Sequence, residues 1–258
     1  MLTVCLGVHA ETAKPKCNIV YDFGQNRIYQ ITPDVAMTLI VLNQDGTPYV
    51  DPATNRYVVD QQKALGFLNA LQYQYPMDSN SLDFYSTSGE YIQMARGARD
   101  TLTRRFINVP RELAYLCAAI PGNANEIRQP EWSVGNTYIE VDISDQTLYY
   151  YENLNVVQKT PIVTGCVNAG HNTPQGFFYV RAKQTNQVLV GANYRSFVHF
   201  WIPIVGNSIG IHDATWRAGF GGDIYVRNGS HGCINVPIDQ ERTLFDRVQV
   251  GTPVVVIP

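Results

Sequence analysis

Asn136-Thr137-Tyr138-Ile139-Glu140-Val141-Asp142-Ile143 alternates apolar and polar residues. Ile139, Val141 and Ile143 fall on one face of an extended chain, and Tyr138, Glu140 and Asp142 on the other. Period two marks a strand, because successive side chains of an extended backbone point to opposite sides. The turn Ser144-Asp145-Gln146 leads into Thr147–Tyr151, so the two runs read as a hairpin. Val156–Val163, Gly176–Ala182, Val198–Ile202 and Pro253–Ile257 are further strand candidates, separated by Gly, Asn and Pro turns. One short helix fits Asp239–Val248, just behind Pro237. Many strands with few helix signals predict a mainly β domain, a sandwich or barrel-like fold with one or two short helices.

Upstream the texture is mixed. Thr32 and Pro33 open a helix with Asp34 in its first turn and the apolar run Val35–Leu42 as its body. Asp60 caps a second helix, whose Ala64, Phe67, Leu68 and Leu71 fall at helical spacing. Leu82, Phe84, the turn Thr87-Ser88-Gly89 and Tyr91–Met94 read as a hairpin, and Pro110 opens a helix through Leu113, Leu116 and Ala119. The break comes at Pro121-Gly122-Asn123 and the polar stretch up to Pro130. Residues 1–129 are therefore expected to form a mixed α+β domain and residues 130–258 the mainly β one.

Composition excludes several classes. With 45% hydrophobic and 16% charged residues the chain reads as folded, and a net charge of −3 offers no basic field for nucleic acid. The longest apolar run, near Val35–Leu42, falls far short of the roughly twenty residues that span a bilayer. The opening MLTVCLGVHA has neither a basic leading region nor a usual cleavage site, so it does not read as a signal peptide. A piece of a longer protein, with a membrane anchor outside it, is compatible with this beginning. Five cysteines, Cys5, Cys17, Cys117, Cys166 and Cys233, leave at least one free thiol, and none shows metal-ligand spacing. Cys5 and Cys17 are free to pair or not; no metal and no cofactor are expected.

The chemistry concentrates in Ser230-His231-Gly232-Cys233-Ile234-Asn235, which follows the glycine-rich Gly219–Gly222 and the turn Arg227-Asn228-Gly229. A cysteine in such a loop can be exposed to substrate, with the N–H groups of Gly232 and Cys233 held toward a developing oxyanion. A free thiol has a pKa of about 8.5, so it needs a base or a cation to act near neutral pH. Two histidines are candidates: His231, two residues away and on the same side of an extended segment, and His212 in Gly210-Ile211-His212-Asp213. The residues alone do not rank them, because such pairing is spatial.

Ile211-His212-Asp213, the glycine-rich spacer and Ser230–Asn235 together resemble the active-site signature of the L,D-transpeptidases. Val163-Thr164-Gly165 followed by Thr173-Pro174-Gln175-Gly176 resembles that family's upstream segment, and Tyr138–Tyr151 its opening hairpin. The resemblance covers about Trp132 to the C-terminus; residues 1–129 are more weakly similar to the domain preceding the catalytic one in some Gram-positive members. It implies Cys233 as nucleophile, and His212 as general base oriented by a backbone carbonyl, that of Asp213. His231 and Gly232 match the loop that shapes the oxyanion hole. Ser230 and Asn235 match supporting positions, so Asp213, Ser230 and Asn235 are the expected substrate-side residues. Many members carry Arg where Asn235 stands, and Cys166 has no counterpart role.

The implied reaction is peptidoglycan cross-linking. The thiol attacks the carbonyl of the L-centred diamino residue of a tetrapeptide stem and expels D-Ala, and an amine of a second stem resolves the acyl-enzyme. Stem peptides and carbapenem-type inhibitors are the implied partners, on the outer side of the cytoplasmic membrane or in the wall, with a monomer as the expected state. The rival readings are an L,D-carboxypeptidase, a sortase-like transpeptidase using Arg242 or Arg247, a non-catalytic wall-binding module, and a metal site of His212, His231 and Cys233.

Overall fold

A computed structural model of the chain describes residues 14–75, 77–78, 81–95, 99, 104–191 and 194–258. In chain order they form β1 (Asn18–Asp22), β2 (Ile28–Ile31), α1 (Pro33–Thr38), β3 (Val50–Asp51), β4 (Arg56–Tyr57), α2 (Gln61–Gln74), β5 (Met77–Asp78), β6 (Ser81–Tyr85), β7 (Tyr91–Ala95), β8 (Arg104–Ile107), α3 (Val109–Ala119) and β9 (Asn125–Arg128). There follow β10 (Trp132–Ser133), β11 (Tyr138–Asp142), β12 (Thr147–Glu152), β13 (Asn155–Pro161), β14 (Gly176–Tyr179), β15 (Gln184–Gly191), β16 (Tyr194–Val205), β17 (Ile209–Asp213), α4 (Ile224–Asn228), β18 (Ile234–Val236), α5 (Ile238–Arg247) and β19 (Pro253–Ile257).

The described residues of Met1–Pro76 and Ile107–Glu131 make one compact unit; those of Met77–Phe106 and Trp132–Pro258 make a second. The division expected at 129/130 lies close to the later crossing, at Glu131–Trp132, but the segment 77–106 clusters with the second unit. In the first unit β1 pairs antiparallel with β2 and parallel with β9. Thr32 and Asp60 cap α1 and α2 by accepting backbone N–H bonds. The helix expected to run to Leu42 ends at Thr38, because Ile40 and Leu42 make strand-like bridges to Val59 and Pro48. Buried Glu112 on α3 accepts from Tyr21, from Arg128 in a two-point pair and from the N–H of Glu131. Cys5 and the rest of the opening stretch lie outside the described residues.

The second unit is a β-sandwich. One sheet runs β13-β12-β11-β19-β14 and the other β15-β16-β17-β18. Ile139, Val141, Leu148, Phe178, Val254 and Val256 from the first meet Ile202, Ile204, Ile211, Ile234 and Val236 from the second in one core, closed by Leu244 and Val248 at α5. Burying such branched side chains is worth about 1.5–3 kcal/mol each, so this interface fixes which face of each strand is inward. The polar face of β11 is also buried. Ile92 of β7, Val134, Tyr138, Phe177, Val255 and Ile257 cover the far side of that sheet, and fully buried Glu140 accepts from the N–H of Thr87 at 2.8 Å. That packing explains why the described residues of 77–106 belong with this unit. β15, which starts with four polar residues, was not among the strand candidates, and β16 runs beyond the expected Val198–Ile202 on both sides, with Pro203 where the register shifts.

Burial, reinforced by nearby Asp142, pushes the Glu140 carboxyl above its usual range. The folded state therefore binds that proton more tightly than the unfolded chain, and the stability so gained is lost as pH rises through the folded pKa. Glu140→Gln can still accept from Thr87 but never ionises. Its stability relative to wild type should improve from pH 4 to pH 9 in denaturant unfolding; a pH-independent difference would contradict this.

Candidate active site

The site grows out of sheet register. In the second sheet Trp201 pairs with His212 across β16 and β17, and His212 pairs with Asn235 across the parallel β17 and β18. The neighbouring row, Ile202, Ile211 and Ile234, faces the core. Alternation then turns Trp201, His212 and Asn235 to the opposite face. Cys233 stands two residues before Asn235 and shares that side, against Val198, Trp201 and Leu189. Here a pocket of about 260 Å³ is lined by Cys233, His212, Asn235, Ser230, His231 and Gly229, together with Leu189, Tyr194, Ser196, Trp216, Arg217 and Asn228.

Neighbouring segments hold the cysteine loop. Thr173 accepts from the N–H of Gly165 and donates to the carbonyl of Gly232, both at 2.9 Å, so the Thr-Pro-Gln-Gly segment is tied to the loop. Ser230 donates to Thr164 through its N–H, and its carbonyl accepts from Cys166. Its hydroxyl spans the turn, donating to the carbonyl of Cys233 and accepting from the N–H of Gly232 at 3.0 Å. Gly232 adopts φ +116, a conformation that a side chain would strain. Gly229 is held for another reason: a Cβ there would lie 2.4 Å from the backbone N of Cys166. Cys166 is thus a small residue packed under the loop, its thiol directed at the carbonyl of Val226.

Nδ1 of His212 lies 2.8 Å from the carbonyl oxygen of Asp213, which can only accept, so Nδ1 carries the proton. Nε2 faces Nδ2 of Asn235 at 3.1 Å. Burial holds the imidazole down to about 4, offset in part by Asp213 and reinforced by the charge of Arg217. The ring is therefore uncharged near neutral pH, and its Nε2 lone pair accepts from the NH2 of Asn235. The Cys233 thiol makes a long contact, 3.8 Å, to the carbonyl of Ser208, and burial pushes it up to about 11. Among the described residues, thiol and imidazole have these separate partners and not each other.

Other expected residues sit differently. The Asp213 carboxylate is fully buried on the core-side parity, accepting from the N–H groups of His199 and Phe200 and from Nδ1 of His199. It does not line the pocket; only the Asp213 carbonyl serves the site. The N–H of Gly232 is engaged by Ser230, which removes it from the expected oxyanion pair, while the N–H of Cys233 has no partner among the described residues. His231 packs between His171 and Tyr194, with ring centroids 4.6 Å away on each side and planes tilted by 31° and 32°, and does not bond the thiol. Among the described residues no three or more His, Cys, Asp or Glu side chains are grouped as a metal site would need. Arg217, Tyr194 and Trp216 carried no sequence signal, since each reaches the pocket from a segment with no motif.

A sandwich presenting a thiol and a neutral imidazole on one sheet face defines a class, and comparison with known proteins gives the family. Residues 136–256 match the YkuD model, the L,D-transpeptidase catalytic domain. L,D-transpeptidase 1 of Mycobacterium tuberculosis is 28% identical over 137 residues, 49% of this chain and 53% of that protein. The chain thus spans about half the length of the curated relatives it matches. The crystal structure of Enterococcus faecium L,D-transpeptidase C442S mutant aligns at 29% identity and a TM-score of 0.56, over 93% of this chain and 95% of that one. The catalytic domain of E. faecium L,D-transpeptidase, solved by NMR, is 43% identical over 47% of this chain and 96% of its own, with a TM-score of 0.44. The chain belongs to the L,D-transpeptidase family.

A thiol with this burial should ionise late. The alkylation rate of Cys233, followed by peptide mass spectrometry with a small haloacetamide, should keep climbing above pH 9 instead of levelling near the free-thiol value of about 8.5. A plateau at or below 8.5 would show that the resting pocket does not suppress the thiolate.

Proposed function

We propose that the chain carries out L,D-transpeptidation with Cys233 as nucleophile and His212 as general base. The observation that carries this reading is the shared sheet face: His212 in register with Asn235, Cys233 two residues before it, and the lone-pair nitrogen of His212 on the pocket side. Substrate entry draws the NH2 of Asn235 off His212 Nε2 and brings the Sγ–H of Cys233 to it in its place, an adjustment consistent with the looser geometry of resting sites. The proton moves to Nε2 as sulfur bonds to the carbonyl carbon of the L-centred residue of a tetrapeptide stem. The oxyanion forms beside the N–H of Cys233. Collapse breaks the C–N bond, and His212 returns the proton to the departing amine of D-Ala. In the second half an acceptor amine attacks the thioester, His212 takes its proton, and the thiolate leaves and recovers that proton. An amide cross-link replaces the amide cleaved. His231 and Gly232 shape the loop around the acyl group, and Ser230 and Asn235 hold loop and base.

The substrate side follows from the family's chemistry: peptidoglycan stem peptides, met outside the cytoplasmic membrane. Residues 130–258 form the catalytic part, with the described residues of 77–106 packed on them. Carbapenem-type lactams offer the same thiol a strained carbonyl and act as covalent inhibitors. If water replaces the acceptor amine, the same site becomes a carboxypeptidase, so product analysis chooses between the two. With a disaccharide-tetrapeptide, a dimer lacking one D-Ala is expected; a tripeptide alone would overturn transpeptidation.

Cys233→Ala should abolish the mass adduct formed with a carbapenem, and an adduct persisting in that variant would exclude Cys233. Single-turnover acylation by His212→Ala should fall by about 10²–10⁴-fold, the usual worth of a general base, and recover in part at alkaline pH as thiolate forms without help. If His231→Ala shows that alkaline rescue while His212→Ala acylates normally, the base is His231.

A further inference from the structure

Arg217 enters the pocket from the stretch between β17 and α4, and among the described residues it is the only Lys or Arg lining it. Its Nε donates to Oδ1 of Asn235 at 2.7 Å, and its Nη1 donates to the carbonyl of Asn228 at 2.7 Å. A guanidinium has donors and no acceptor. The oxygen of the Asn235 amide must therefore face Arg217, which turns the NH2 group toward His212. An amide NH2 can only donate, so the nitrogen it meets, Nε2 at 3.1 Å, must hold a lone pair. The proton then belongs on Nδ1, which donates to the Asp213 carbonyl at 2.8 Å. Each link has one permitted polarity.

We propose that Arg217 is a positioning residue that fixes the tautomer of His212 through the amide of Asn235. The proposal rests on reading His212 as the base, and it gives Asn235 a task other than contacting substrate. Without a guanidinium at Oδ1, the amide can rotate by half a turn and present its oxygen to Nε2. That arrangement favours the proton on Nε2, the tautomer that cannot accept from Cys233. The Asp213 carbonyl opposes the change from the other side of the ring, so losing Arg217 should give a mixture of tautomers.

The test reads the ring itself. In protein labelled with 15N-histidine, at neutral pH and without substrate, the His212 nitrogens are assigned by difference against His212→Gln. Wild type should show a lone-pair shift at Nε2 and an N–H shift at Nδ1. Arg217→Met should move both toward averaged values and slow single-turnover acylation about five- to tenfold, the equivalent of one hydrogen bond. Arg217→Lys, which still donates to Oδ1, should restore much of the wild-type pattern. Asn235→Asp keeps the size of the side chain but can only accept at neutral pH, so Nε2 should become protonated and acylation should fall toward the level of His212→Ala. Unchanged His212 shifts in both Arg217→Met and Asn235→Asp would overturn the proposal; should one variant not fold, the other decides alone. These shifts are read without turnover, so they are independent of whether Cys233→Ala abolishes the carbapenem adduct, the result on which the proposed function stands.

Discussion

The parallel pairing of β17 with β18 is the constraint from which the site follows. Parallel neighbours cannot be joined by a tight turn and need a long crossover. Here that crossover is residues 214–233, and it holds Trp216, Arg217, the glycine-rich stretch, α4 and the cysteine loop. A shift of one residue in this ladder would turn Cys233 and Asn235 into the core and Ile234 out to the pocket. Ile211 and Ile234, fully buried between the sheets, make that shift expensive. The hydrophobic interior thus fixes the side on which the chemistry sits.

The loop's shape depends on hydrogen bonds from outside it as much as on its own glycines. Thr173 reaches from the segment before β14 to the carbonyl of Gly232, and Ser230 crosses the turn to both Gly232 and Cys233. Buried hydroxyls satisfied on both donor and acceptor sides leave few alternatives, because an unmade bond here would cost the desolvation of a polar group. The close packing of Gly229 and Cys166 belongs to the same arrangement. The resting state is electrostatically quiet: a neutral imidazole, a protonated thiol and one guanidinium bound to amide and carbonyl oxygens.

Much of the architecture was legible because it follows local rules. The alternation of Tyr138–Ile143 marks a strand, Asp60 caps α2, and the run at 253–257 is a strand with the boundaries read from the sequence. The departures have local causes too. Ile40 and Leu42 leave the helix because tertiary bridges outcompete helical bonds. Pro203 stays within a strand because it occupies an irregularity in the ladder. β15 was hidden because a hairpin strand that opens with Gln184-Thr185-Asn186-Gln187 lacks an apolar face to betray it.

The sequence by itself determined that the second half is β-rich, that Ser230–Asn235 is a loop fit to carry a reactive cysteine, and which family it resembles, since residue type, spacing and order carry those facts. Only the tertiary structure decided where each side chain points. It turned the Asp213 carboxylate inward to the strand amides, engaged the N–H of Gly232 with Ser230, packed His231 between two rings, and brought Arg217 to the amide of Asn235. The reason is physical: which face a strand buries and which distant groups meet depend on ladder register and sheet packing, and those are properties of pairs of segments, which no single stretch of chain encodes.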